Sequence, residues 1–247
     1  MTRIIGVVSG KGGVGKTTTA INLATALMHL GKESVVVDAN LNTPNVSIHL
    51  GSPVLPKTLN DVLIGQKSIS DVVYQHQSGL KVVPASLHSE ILPDHSRLSD
   101  ALLDLENRTD FAVIDMPAGM GSEAKHAMES VDEILIVTNP ELAAVTDALK
   151  TIKYAESLGK KVLGIVLNRQ RKESHEMKLK DVESMLNSKI IAVVPEDEKV
   201  RRAFSKKQPV VSLYPKAKAS KAFIEVAANI SGIKLKKRGL LSSLFGL

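Results

Sequence analysis

The chain has 247 residues, 43% of them hydrophobic and 23% charged, which suits one large α/β core better than two small ones. It contains no cysteine, which excludes a disulfide framework, cysteine-bound zinc and an iron–sulfur cluster, and permits a cytosolic setting. Formal net charge is +6, yet Lys234, Lys236, Lys237 and Arg238 fall in the last fourteen residues, where there is no acid. The basicity gathers at one end, as in a local interaction surface, and a general nucleic-acid-binding body is not expected.

The first element is "IIGVVS", an apolar run of strand length, too short and too soon followed by glycines and lysines for a signal peptide or a spanning helix. Next comes "SGKGGVGKTT", then a strong helical stretch over 17–30 that ends at Gly31. From Gly10 through Gly15, Lys16 and Thr17 the spacing satisfies G-x-x-x-x-G-K-[ST]. Strand, glycine-rich turn and helix supply the context that makes the pattern a phosphate cradle. Glycines at 10, 12, 13 and 15 let the backbone N–H groups of the loop, Val14 among them, converge on phosphate oxygens. Lys16 neutralises the β and γ charges, and the Thr17 hydroxyl, followed by Thr18, is placed to ligate Mg²⁺. Lys11 is a second lysine where phosphate binding ordinarily needs one.

Strand-like and helical stretches then alternate. "SVVVD" ends on Asp38 and leads into a helical region; "LKVVPA" precedes a helix over 95–106; "FAVID" ends on Asp115 and precedes 122–130. "EILIVT", a helix over 141–158, "KVLGIVLN" with Asn168 at its end, a helix over 174–187, and "KIIAVVP" with Pro195 and then Glu196 complete the series. Strands so uniformly rich in Val and Ile predict a doubly wound, mostly parallel sheet with helices on both faces. Gly31 and Gly159 read as helix C-caps, and Pro84, Pro117, Pro140 and Pro195 fall just after strands. Asp38 and Asp115 both close apolar strands at the sheet's carboxyl edge, where ligands bind in open α/β sheets. The seven histidines, His49 among them, are scattered without ligand spacing, and no hydrolase nucleophile motif occurs. "KVRRAFSKKQ" and "KAKASK" read as a solvated basic face rather than a DNA site.

The one boundary falls near Gly232, giving a domain over 1–232 and a basic amphipathic tail over 233–247. At helical spacing Leu240, Leu241, Leu244 and Phe245 share a face beside Lys236, Lys237 and Arg238, which predicts an interfacial anchor on an anionic membrane surface.

"KGGVGKTT" resembles the deviant Walker A signature of the ParA/MinD group of ATPases, and the resemblance extends over almost the whole chain. It implies a P-loop NTPase fold of the SIMIBI type that takes ATP and Mg²⁺. It also implies a homodimer formed with ATP, in which Lys11 reaches across to the partner's phosphates. "VVVDANLNTPNVSIHLG" stands at the position of switch I and "MPAGMG" at that of switch II. By the same resemblance Asp115 is the Walker B carboxylate that holds Mg²⁺ through water, Asn168 reads adenine, and Pro195 and Glu196 close the adenine pocket. Lys11, Lys16, Asp38 and the residue two beyond Asp38 are then the catalytic set.

That last residue departs from the pattern. Family members commonly carry a second carboxylate there, which orients the attacking water, and this chain has Asn40. An amide can hydrogen-bond water but cannot take its proton, so slow hydrolysis is expected. The tail is similar to the membrane-targeting helix of the MinD branch. The implied function is an ATP-switched ATPase, cytoplasmic and peripheral on the inner face of the cell membrane. It would position machinery such as the division site together with an unidentified regulator or cargo. The alternative is a nucleoid-binding partition ATPase of the ParA kind; the amphipathic tail argues against it, so nucleic acid is not an expected partner.

Overall fold

The computed structural model describes residues 1–52, 54–88 and 95–235. The tail residues Lys236, Lys237, Arg238, Leu240, Leu241, Leu244 and Phe245 lie outside them. In chain order come β1 (Arg3–Val8), α1 (Lys16–His29), β2 (Ser34–Asp38), α2 (Val46–His49), α3 (Leu59–Leu63), β3 (Tyr74–Gln75), β4 (Lys81–Val83), α4 (Leu98–Leu103) and β5 (Phe111–Asp115). They continue with α5 (Ser122–Glu129), β6 (Glu133–Thr138), α6 (Leu142–Ser157), β7 (Lys161–Gln170), α7 (Leu179–Leu186), β8 (Ile190–Pro195), α8 (Glu198–Ser205), α9 (Val210–Leu213) and α10 (Lys218–Ser231).

The strands form one sheet in the order β3-β4-β2-β5-β1-β6-β7-β8, parallel throughout except where β3 pairs antiparallel with β4 at the edge. Alternate side chains of each strand enter two different cores, because successive residues point to opposite faces. Ile5 and Val7 of β1, Val36 of β2 and Val113 of β5 face α1 and α10. Ile4, Val8, Val35 and Ile114 face the side covered by α3 to α7. With both faces covered, β2 and β5 are buried at every position, which explains their unbroken apolar sequence. Each fully buried Val or Ile side chain contributes roughly 1.5–3 kcal/mol relative to exposure. α1 is buried along the whole run from Thr19 to Leu27, wedged between the sheet and α10.

The sequence reading needs adjustment at several ends. The stretch 95–106 holds a short 3₁₀ turn (His95–Arg97) and only six residues of α4, and Asn107 takes a left-handed φ of 59°. The antiparallel β3 is too short to show an alternation. The two segments read as a solvated basic face do expose Arg201, Arg202, Lys218 and Lys221, and they do so from α8 and the start of α10, whose Ala203, Ala219 and Ser220 pack inward. Gly31 and Gly159 do follow their helices in the left-handed region, at φ 80° and 69°. Pro195 is the last residue of β8 and does not follow it. Among the described residues no helix is long and apolar enough to cross a membrane.

Candidate functional site

The site lies where the sheet's winding reverses. β1 has β5 on one side and β6 on the other, so the loop after it opens at the crevice where open α/β sheets bind ligands. Residues 9–15 turn sharply, with Gly13 at φ 80°, and Gly15, at φ 96°, serves as the N-cap of α1. No side chain caps α1 and its first turn has no acid, so its leading N–H groups and positive dipole end face the cleft unneutralised. The cleft holds about 350 Å³ and is lined by Gly12, Gly13, Gly15, Lys16, Thr17 and Thr18 from the loop, Asn40, Thr43, Asn45 and His49 from switch I, and Ala118 and Arg169.

Two of its side chains, Lys16 and Thr17, form one network with Asp115 beneath them. Lys16 Nζ donates to Asp115 Oδ1 at 2.8 Å, and Thr17 Oγ1 donates to Asp115 Oδ2 at 2.6 Å. Asp115 is fully buried and Lys16 nearly so. The loop after β5 is pinned to the phosphate loop, since Gly119 N–H donates to Ser9 O at 2.9 Å. Lys11 is exposed, and its ammonium has no partner among the described residues.

Asp38 and Asp115 are register partners on neighbouring strands. The Asp38 carboxylate is fully buried and accepts N–H bonds from Asn40 at 3.2 Å and from Asn45 and Val46 at 2.9 Å each. It therefore pins the loop after β2 and satisfies the first turn of α2. Asn40 is closed on Thr43: its Nδ2 donates to Thr43 O at 2.7 Å and its Oδ1 accepts from Thr43 Oγ1 at 2.9 Å. Burial, and next the Asp115 carboxylate, push the Asp38 carboxyl up to about 7. The folded value exceeds the ordinary one, so this group's contribution to stability is complete below about pH 4 and fades as the pH rises to about 7. Urea denaturation of the nucleotide-free protein across that range is expected to show falling stability, with a smaller slope in Asp38→Asn; equal slopes would mean that Asp38 ionises normally.

A second cleft, about 250 Å³, continues from Gly15, Thr18 and Arg169 and is lined further by Asn168, Arg171, Val194, Pro195, Glu196, Asp197, Val200, Arg201 and Phe223. The structure thus brings Asn168, Pro195 and Glu196 together at the ends of β7 and β8. Asn168 also braces the phosphate loop, its Nδ2 donating to Val14 O at 2.7 Å. Glu196 Oε2 is buried without a hydrogen-bond partner among the described residues, an acceptor left over for a ligand in this cleft.

Sequence reasoning missed the other polar residues of these clefts. Arg169 follows Asn168 directly in the left-handed region, at φ 56°, and lines both clefts. Its place one residue past the expected strand "KVLGIVLN", whose observed counterpart β7 runs on to Gln170, was a usable signal. Arg201 and His49 had none: no helix was expected at α8, and the helical region expected after β2 gave no sign of which of its residues would reach the cleft.

Fold and site together define a P-loop nucleotide-binding protein of the open α/β class. Residues 5–210 match the family model described as the CobQ/CobB/MinD/ParA nucleotide binding domain. An uncharacterised ATP-binding protein of Methanocaldococcus jannaschii is 39% identical over 240 residues, covering 95% of this chain and 91% of its own. The septum site-determining protein MinD of Pyrococcus horikoshii, solved in complex with Mg-ADP, is 36% identical with a TM-score of 0.90, covering 96% of this chain and 100% of that one. A chain from the MinC:MinD cell division protein complex of Aquifex aeolicus is 30% identical with a TM-score of 0.85, again covering 96% and 100%. This chain belongs to the CobQ/CobB/MinD/ParA nucleotide-binding family.

Proposed function

We propose that the chain is an ATPase of the MinD type, which dimerises around bound ATP and, as a dimer, associates reversibly with the membrane to position cellular machinery such as the division site. The observation that carries this reading is the Lys16–Asp115–Thr17 network set beside an exposed, unpaired Lys11. Hard oxygen donors suit Mg²⁺, and Thr17 and Asp115 present a hydroxyl and a carboxylate at one point, so the residues fit the ion. Thr17 would hold it directly and Asp115 through water. When bound, Mg²⁺ neutralises part of the phosphate charge.

The chain's own groups do the rest. The loop amides of Gly12 to Thr18 and the α1 terminus receive the phosphates, and Lys16 turns from Asp115 toward them. Asn168 and the spare Glu196 oxygen receive the base, with Pro195 beside them. Lys11 supplies a cation to the partner's triphosphate, which makes dimerisation depend on the γ-phosphate. Asn40, closed on Thr43 and unable to take a proton, keeps intrinsic hydrolysis slow. A regulator or cargo protein would act on this dimer, as the MinC in the Aquifex complex suggests. Each tail binds an anionic surface only marginally, and two tails on one dimer bind far better through effective concentration.

Light scattering after size exclusion is expected to show a dimer with Mg²⁺ and a hydrolysis-resistant ATP analogue and a monomer with ADP. Lys11→Ala is expected to stay monomeric in both while its ADP affinity changes by less than about twofold. Cosedimentation of the dimer with anionic vesicles is expected to vanish on deletion of residues 235–247. A wild type that stays monomeric with the analogue overturns the reading, and salt-dependent binding of that dimer to DNA in place of vesicles moves it to the partition branch.

A further inference from the structure

We infer that His49 is the water-positioning residue of this site, standing where the chain lacks a second switch I carboxylate. The inference rests on the ATPase reading above and concerns which group holds the nucleophile.

Three observations converge on it. First, both switch I residues expected to act on water are engaged. The Asp38 carboxylate holds three backbone N–H groups, and the Asn40 amide is closed on Thr43 through both its oxygen and its nitrogen. Second, His49 lines the same cleft as Lys16, Thr17 and the loop glycines, and among the described residues neither of its ring nitrogens has a hydrogen-bond partner. Third, the ring is held in place. It lies against Phe204 of α8 with centroids 4.5 Å apart at 55°, and its helix is anchored by Asp38 at the first turn. Burial keeps the imidazole mostly neutral near pH 7, against the pull of Asp115 in the other direction. A neutral ring offers one N–H donor and one acceptor, which is what is needed to hold a water between itself and a phosphate oxygen.

Phosphoryl transfer through a loose transition state asks for a positioned nucleophile more than for a strong base. The water donates one O–H to the unprotonated His49 nitrogen, and its oxygen forms the new bond to the γ-phosphorus. The bond from that phosphorus to the β–γ bridging oxygen breaks, its electron pair stays on ADP, and the water proton passes to an oxygen of the departing phosphate. His49 gains and loses nothing in the balance; it fixes the line of attack.

The test compares His49→Phe, which keeps a ring against Phe204 but has no nitrogen, with His49→Gln, which keeps a donor and an acceptor. Single-turnover ATP hydrolysis of His49→Phe is expected to fall about 100-fold, as for a misplaced nucleophile, while MgATP and MgADP affinities stay within about twofold. His49→Gln is expected to keep the rate within about tenfold of wild type. Binding of MgADP with aluminium fluoride, which imitates the in-line geometry, is expected to weaken in His49→Phe and to be restored in His49→Gln. Wild-type hydrolysis by His49→Phe overturns the assignment, and so does a parallel loss of nucleotide affinity and rate in both variants, which would mark a structural role. A wild type that binds ATP without any single-turnover hydrolysis sinks the ATPase reading itself.

Discussion

Alanine in place of Gly10 is expected to cost at least ~3 kcal/mol of stability and to abolish nucleotide binding, whereas alanine in place of Gly12, two residues on, is expected to leave stability unchanged. Both are glycines of one phosphate loop, and a motif treats them alike. The structure does not. A Cβ on Gly10 would lie 2.3 Å from the backbone carbon and oxygen of Asp147, and those atoms belong to the interior of α6 and cannot step aside. Either the loop lifts from α6 or α6 shifts on the sheet, and α6 carries Val145, Ala148 and Ile152 into a core packed too tightly to absorb it. At Gly12 a Cβ would meet nothing within 4 Å, and its φ lies outside the left-handed region. Urea denaturation of the two variants decides the matter, with fluorescent-nucleotide titration as a second readout for Gly10→Ala. Equal stabilities would mean that the loop does not pack on α6 as described.

That contrast shows where the sequence was legible. The parallel sheet could be read because burial on both faces leaves β2, β5 and β6 almost wholly apolar, and no other common environment asks for that. The phosphate loop could be read because its chemistry is local: the glycines, the lysine and the hydroxyl needed at one point lie within eight residues. Asp115 could be placed at the sheet's carboxyl edge for a different reason, that it ends an unmistakable strand.

What could not be read depends on contacts between distant segments. Nothing in "DANLN" announces that Asp38 spends its carboxylate on the amides of Asn45 and Val46, or that Asn40 closes on Thr43. Polar residues in a short loop choose among many partners of similar energy, and the choice is made by the packing around them. His49 illustrates the point most sharply. Its spacing fits no motif, and the ring of Phe204 that packs against it comes from α8, more than 150 residues later in the chain.

Lys16→Ala is expected to separate two properties that the same side chain supports. Nucleotide binding should disappear, since the ammonium that meets the β and γ phosphates is gone. Stability should fall as well, by roughly 3 kcal/mol or more, because removing one partner of a buried ion pair leaves the other charge uncompensated. Asp115 has no solvent to turn to; it is fully buried, and among the described residues the Thr17 hydroxyl is the one side-chain donor left to it. If this account of the loss is right, the damage comes from the stranded carboxylate and not from missing packing. Adding Asp115→Asn to Lys16→Ala should then recover most of the stability while leaving nucleotide binding absent. Denaturation of the single and double variants, each paired with a nucleotide titration, reads both quantities. A double variant less stable than Lys16→Ala would mean that the Asp115 carboxylate stabilises the fold through the Thr17 bond even without the lysine, and that the nucleotide-free site is held by the loop hydroxyl more than by charge.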